Sequence, residues 1–208
     1  MSRSENQRGF TLVEVMIAVG IMTVGSLGIL SMHNAITRAN RDARDMNMAL
    51  AITETWMERV ERDTLMWTES GNNSNTLTTT RYLSGLQGEA DEVDWFRPDA
   101  VVLPRPESYA FDYFGIDTTD GANIKYCVNL KLSWIRQGNS ARVDIRTFWL
   151  REDPANGARA SANWVAPNDF RTAECAAPAA TGWDLGEAPN VNVVFASTVV
   201  NWTRRDAP

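Results

Sequence analysis

Residues 10–32 read FTLVEVMIAVGIMTVGSLGILSM, a run of apolar, small and hydroxyl side chains broken by a single charge, Glu14. At about 1.5 Å per residue this run forms about 35 Å of helix, enough to cross the hydrocarbon core of a bilayer. The helical pattern then continues with a different character. Ile36, Ala39, Ala43, Met46, Leu50, Thr53, Met57 and Val60 recur at alternating spacings of three and four, which places an apolar stripe on one helix face. Arg38, Arg41, Asp42, Arg44, Asp45, Glu54, Glu58, Arg59, Glu61 and Arg62 fall mainly off that stripe, and no proline interrupts the run. The pattern predicts one helix from about residue 10 to about residue 63, about 80 Å long. Its second half is expected to lie on a sheet through the stripe, with a coiled-coil seam as the alternative. Trp56 and Trp67 are expected as core or interface aromatics and not as a ligand box.

Beyond the helix the period changes to two. Ile124, Tyr126, Val128, Leu130, Leu132 and Trp134 alternate with polar positions, Arg136–Ser140 has turn composition, and Val143, Ile145, Thr147 and Trp149 alternate on the way back. This predicts a β-hairpin whose apolar face the helix covers. A further strand is expected at 191–202. Residues 68–123 are rich in turn formers, Ser70–Asn75 lacks any apolar residue, and 154–190 is dense in Pro, Gly and Ala, so these segments read as mostly loop. The fold class is therefore α+β, a long N-terminal α-helix on an antiparallel β-sheet.

The segment before the apolar run, MSRSENQRG, carries Arg3 and Arg8. Positive charge on a short flank keeps that end in the cytoplasm and sends the remainder across the membrane. A secretory signal would end its apolar region in an A-x-A-like site, whereas this one continues into helix, so the apolar run is expected to stay on the mature chain.

The order Arg8-Gly9-Phe10-Thr11-Leu12-Val13-Glu14 followed by an apolar helix resembles the cleavage motif of type IV prepilins and type II secretion pseudopilins. The resemblance covers residues 8–32. It implies a pilin-like fold and a non-catalytic filament subunit. It also implies cutting between Gly9 and Phe10 by a prepilin peptidase and N-methylation of Phe10. Glu14, assisted by Thr11, would act in assembly by pairing with the new amine of its own or a neighbouring subunit. The partners implied are other major and minor pilins through the N-terminal helix, the peptidase, the inner-membrane assembly platform and inner-membrane lipid. The divisions are a leader at 1–9, a transmembrane and assembly half at 10–32, an amphipathic half at 33–63 and a periplasmic β-rich domain at 64–208. Val24–Leu30 is similar to the Gly-Leu-rich stretch of the V class of minor pilins, the type IV pilus modification proteins. Ser31 stands near the position where many major pilins have proline, a departure that points away from a major pilin. A minor pseudopilin of type II secretion is the runner-up, and a tip adhesin or DNA-binding pilin is a third reading.

Composition narrows the chemistry. The net charge of -6 offers no general nucleic-acid-binding surface. The single histidine, His33, adjoins the apolar run, which leaves no Ser–His or Cys–His pair for an exported domain, so no catalytic residue and no cofactor are assigned. Asp112, Asp117 and Asp120 beside Gly121 are weighed for calcium, as in a late loop of some pseudopilins, but they lack the ligand register of an EF-hand, and no metal site is assigned. The acidic group Glu89, Asp91, Glu92 and Asp94 reads as a solvated face. Cys127 and Cys175 read as one disulfide, with two buried thiols as the alternative, and the resemblance also points to a disulfide. Seven tryptophans follow residue 66, and most are expected in the core.

Overall fold

A computed structural model describes residues 11–69, 77–87, 91–100, 107–120, 123–150, 175 and 191–202. The leader at 1–9, the expected loop at Ser70–Asn75 and nearly all of 154–190 lie outside these residues. In chain order the elements are helix α1 (Leu12–Glu69), two short 3-10 turns (Leu77–Thr79 and Leu83–Leu86), and strands β1 (Glu92–Phe96), β2 (Ala110–Phe111), β3 (Tyr126–Arg136), β4 (Ser140–Leu150) and β5 (Val191–Asn201). The chain divides into two compact units, Met1–Arg44 and Asp45–Pro208.

In the first unit, α1 leaves its large apolar side chains, Leu12 to Met32, exposed. Two of its hydroxyls are satisfied within the helix: Thr23 Oγ1 donates to the Gly20 carbonyl at 2.8 Å and Ser26 Oγ to the Met22 carbonyl at 2.8 Å. That back-bonding leaves an outer surface compatible with hydrocarbon, where every polar group needs an internal partner. The helix is long and apolar enough to cross a membrane.

In the second unit, α1 runs to Glu69 and not to about residue 63. Residues 64–69 contain no Gly or Pro, and Trp67 extends the buried face by two turns beyond Val60. The buried face is also not the stripe that the periodicity selects. Ala49, Ile52, Thr53, Trp56, Val60 and Trp67 are buried, whereas Met46 and Leu50 stay 44% and 42% exposed. Thr53 and Val60 belong to both sets. The face that wins carries Trp56 and Trp67, whose apolar area exceeds that of the methionines and leucine it displaces. Thr53, the polar member of the buried face, bonds Thr147 of β4, hydroxyl to hydroxyl at 2.7 Å.

The sheet has the order β1-β3-β4-β5 with every neighbour antiparallel, and β2 adds to β3. Tyr126, Val128, Leu130 and Leu132 on β3 and Val143, Ile145 and Trp149 on β4 enter one buried cluster with Trp56 and Trp67 of the helix. The expected hairpin is thus present, two residues later at each end of its first strand. Gly138 sits at φ +73° in its turn, a conformation that glycine adopts without steric cost. Ile124 does not continue the β3 face. It enters a second cluster with Tyr109, Ala110, Cys127, Phe148 and Cys175 on the other side of the sheet. β1 lies within the segment that reads as loop, and its short alternation Val93–Trp95 is masked there by the acidic residues. Glu92 and Asp94 are exposed, as a solvated face would be, and both also reach Lys131 across strands, in a close ion pair and at 3.9 Å respectively.

Candidate functional site

The start of α1 is organised by two residues of the motif. Thr11 precedes the first helical residue, and its hydroxyl accepts the Glu14 N–H at 3.3 Å. The Glu14 carboxylate in turn accepts the Thr11 N–H at 3.3 Å and lies 3.3 Å from the Thr11 hydroxyl. This is a capping box, Thr-x-x-Glu, in which two orphan N–H groups of the helix start are satisfied reciprocally. Sequence reasoning brings Thr11 and Glu14 together through their resemblance to prepilins but overlooks this local role, although the T-x-x-E spacing before an apolar run carries it. Glu14 also places a negative charge in the first turn, where the helix dipole favours it. Gly9 and Phe10, the expected cleavage and methylation residues, lie outside the described residues.

Along the apolar half, a Cβ built on Gly20, Gly25 or Gly28 would meet nothing within 4 Å. No contact among the described residues requires these glycines, and their open surface admits close approach by another helix. With the exposed apolar side chains around them, they leave residues 12–33 an open apolar surface among the described residues.

The globular unit uses its charged groups structurally. Asp117, weighed for calcium, accepts Arg59 Nη2 at 2.6 Å on one oxygen and the Ser108 N–H at 2.6 Å on the other. Arg59 is itself buried, with its guanidinium 5.0 Å from the Trp56 ring centre and 5.5 Å from that of Phe111. Asp112 accepts the N–H groups of Phe114 and Ile116 at 2.8 and 2.9 Å, and Asp120 accepts the Asn123 amide at 2.7 Å. The three acids therefore serve three separate purposes. Among the described residues no group of three or more His, Cys, Asp or Glu side chains could hold a metal ion. Asp63 of α1 accepts the N–H groups of Arg81 and Tyr82, both at 2.7 Å, and so caps the second 3-10 turn from outside it. Tyr82 donates to Glu107 at 3.1 Å, and burial, reinforced by that carboxylate, pushes its phenol up to about 12.

On the sheet side facing away from α1, Cys127 and Cys175 form a disulfide with Cα atoms 5.2 Å apart, within the ordinary range. Asn129 reinforces this join by donating to the Cys175 carbonyl at 2.9 Å while its own oxygen accepts Arg146 Nε and Nη2 at 3.1 and 3.0 Å. Burial lowers the Arg146 guanidinium to about 10, partly opposed by Asp94, which leaves it charged near neutrality. The Trp95 ring covers it at 4.2 Å. Of the seven tryptophans after residue 66, Trp67 and Trp149 are buried and Trp95, Trp134 and Trp202 half-buried, while Trp164 and Trp183 lie outside the described residues.

An apolar N-terminal helix continuous with a helix laid on an antiparallel sheet defines a pilin-like α+β protein. Residues 5–30 match the model of the prokaryotic N-terminal methylation motif, so the chain carries the type IV pilin signature. No curated protein and no solved structure matches this chain. The match covers the N-terminal motif alone, and that motif supports a pilin-like or pseudopilin protein.

Proposed function

We propose that this chain is a minor pilin, a non-catalytic subunit that primes or caps a type IV pilus. The observation that carries the reading is the methylation signature at residues 5–30 on a helix whose apolar side chains its own chain leaves exposed. On this reading residues 1–9 are a cytoplasmic leader, removed between Gly9 and Phe10 by a prepilin peptidase, and the new Phe10 amine is methylated. Residues 10–32 anchor the subunit in the inner membrane and later pack in the filament. The amphipathic part of the helix and the β-rich domain to residue 208 lie in the periplasm before assembly.

Glu14 then acts by charge. An ionised carboxylate in hydrocarbon is disfavoured by about 2.5–3.5 kcal/mol on insertion scales and needs a partner. Cleavage creates one, the Phe10 amine, four residues before Glu14 in the sequence, and the amine of a neighbour is equally suited. The capping box supports this assignment by holding the carboxylate at the helix start. Intact-mass measurement of the membrane or filament form is the test. The expected product begins at N-methylated Phe10 and has 199 residues, 208 minus the nine of the leader. A product beginning at Met1 or after residue 30 contradicts the reading. Co-purification from sheared filaments, against recovery with a secretion pseudopilus, separates the minor pilin from the pseudopilin.

A further inference from the structure

We infer that the α1 face through Ile29, Ile36 and Ala43 is a coiled-coil seam that pairs, parallel and in register, with the same face of a second copy of this chain. The inference rests on the membrane anchoring in the reading above. In a heptad written abcdefg, the a sites from residue 15 on are Val15, Met22, Ile29, Ile36 and Ala43. The d sites are Ala18, Gly25, Met32 and Ala39, so every seam site over the four heptads from Val15 to Ala43 is apolar or glycine. All of them lie on α1 and all are exposed.

Within the apolar run almost any face reads as apolar, so residues 33–44 decide. There Ile36, Ala39 and Ala43 hold seam sites, while Arg38, Arg41 and Arg44 fall at c, f and b, away from the seam. Ile36 lies past the 10–32 run that spans the hydrocarbon on that reading, and it is 43% exposed. The seven-residue period indicates a helix as its cover. A straight helix drifts about 20° per heptad from such a repeat, about 80° over four, and supercoiling around another helix is what keeps the seam in contact. In the sequence the same spacing runs on through Met46 and Leu50, which are 44% and 42% exposed.

The bilayer and the flanking sites choose the occupant. A second copy enters the membrane with the same end inside and its apolar run at the same depth, so the two seams meet parallel and in register. Val15, Ile29 and Ile36 put β-branched side chains at a, as parallel two-stranded pairs favour. Ala18, Gly25 and Ala39 at d let the two backbones approach closely. Partner choice in such pairs is set by charge at e and g. From Val19 to Asp42 these sites carry one charge, Asp42, whose cross-pair site in an in-register copy is Asn47. The flanks therefore bring no like charges together in a pair of identical chains, and they carry no charge pattern that calls for a different one.

The test uses the full chain in cell membranes, as two co-expressed copies with different affinity tags. A single cysteine replaces Ile36, Ala39 or Ala43 on the seam, or Asn34, Arg38 or Arg41 off it, and copper-phenanthroline serves as the oxidant. Recovery in the membrane fraction and formation of the Cys127–Cys175 disulfide show that each variant is exported and folded. The expected result is a mixed-tag disulfide dimer from the three seam positions. The other three should give at least about tenfold less, because their thiols cannot meet without backbone movement. In the Ile36→Cys chain, Ala43→Asp sets like charges against each other in the seam and should lower the dimer about tenfold or more. Equal yields at all six positions, no mixed-tag dimer, adducts only with another protein, or an unchanged dimer in the Ala43→Asp variant overturn the inference. If the leader is cleaved and Glu14→Gln is excluded from filaments while the seam positions do not cross-link, the pairing alone fails. An uncleaved leader with seam-specific dimers removes the pilin reading and leaves the pairing standing.

Discussion

One helix obeys two sets of rules. Between residues 45 and 69, α1 is positioned by its own chain: Trp56 is fully buried, Thr53 bonds Thr147, Arg59 pairs with Asp117 and Asp63 caps a neighbouring turn. Between residues 12 and 33 it makes no such commitment, and its large apolar side chains remain open. Substitutions in the first region should therefore register as lost stability, and substitutions in the second as lost assembly.

The largest expected effect is at Trp56. Trp56→Ala should lower the stability of the full-length protein in detergent by about 3–5 kcal/mol, read from the urea midpoint. Leu30→Ala, on the open half, should change it by no more than about 0.5 kcal/mol. A large loss at Leu30 or a small one at Trp56 would break the contrast between the two halves.

Next in size is the disulfide. Cys127→Ser closes off the cross-link between positions separated by 48 residues, and the expected loss is about 2–4 kcal/mol. Quantitative thiol labelling of the unreduced, unfolded wild type checks the bond itself, and labelling of both cysteines would refute it.

Tyr82→Phe should cost about 1 kcal/mol through its bond to Glu107. It should also change the alkaline limb of stability. The folded phenol titrates at about 12 against 10.0 when unfolded, so the folded state holds this proton longer. That contribution is complete below pH 10 and is lost as pH rises through 12. Ultraviolet titration should show one late phenolate in the wild type that is missing from the variant.

How far the sequence discloses these features depends on the length scale that decides each one. The hairpin is legible because its period-two pattern is local and its inward residues are bulky, and β5 because its run is rich in valine, a strand former. The helix and its continuation past the apolar run are legible for the same reason. The buried face of α1 is legible only in part: Trp56 and Trp67 read as core, but the stripe through Met46 and Leu50 is apolar as well. Only contact with the sheet decides between them, and it favours the tryptophans. β1 is hidden because Glu92 and Asp94 read as solvent-facing until Lys131 appears opposite them. The acids at 112, 117 and 120 resemble a ligand set in sequence, and the deciding partner of Asp117 is Arg59, 58 positions away. At the N-terminus the motif gives Glu14 and Thr11 directly, and their capping box follows from a spacing of three.

The open half of α1 has its most direct test at Glu14. Glu14→Gln preserves the capping box, since glutamine serves in that motif as glutamate does, and it removes only the charge. The measurement is the ratio of processed protein in sheared filaments to processed protein in membranes, for wild type and variant. A charge-assisted bond to an amine is worth about 1.5–3 kcal/mol, so the variant should be cleaved and inserted normally yet fall about tenfold or more in that ratio. An unchanged ratio, with piliation at the wild-type level, would contradict assembly through the Glu14 charge.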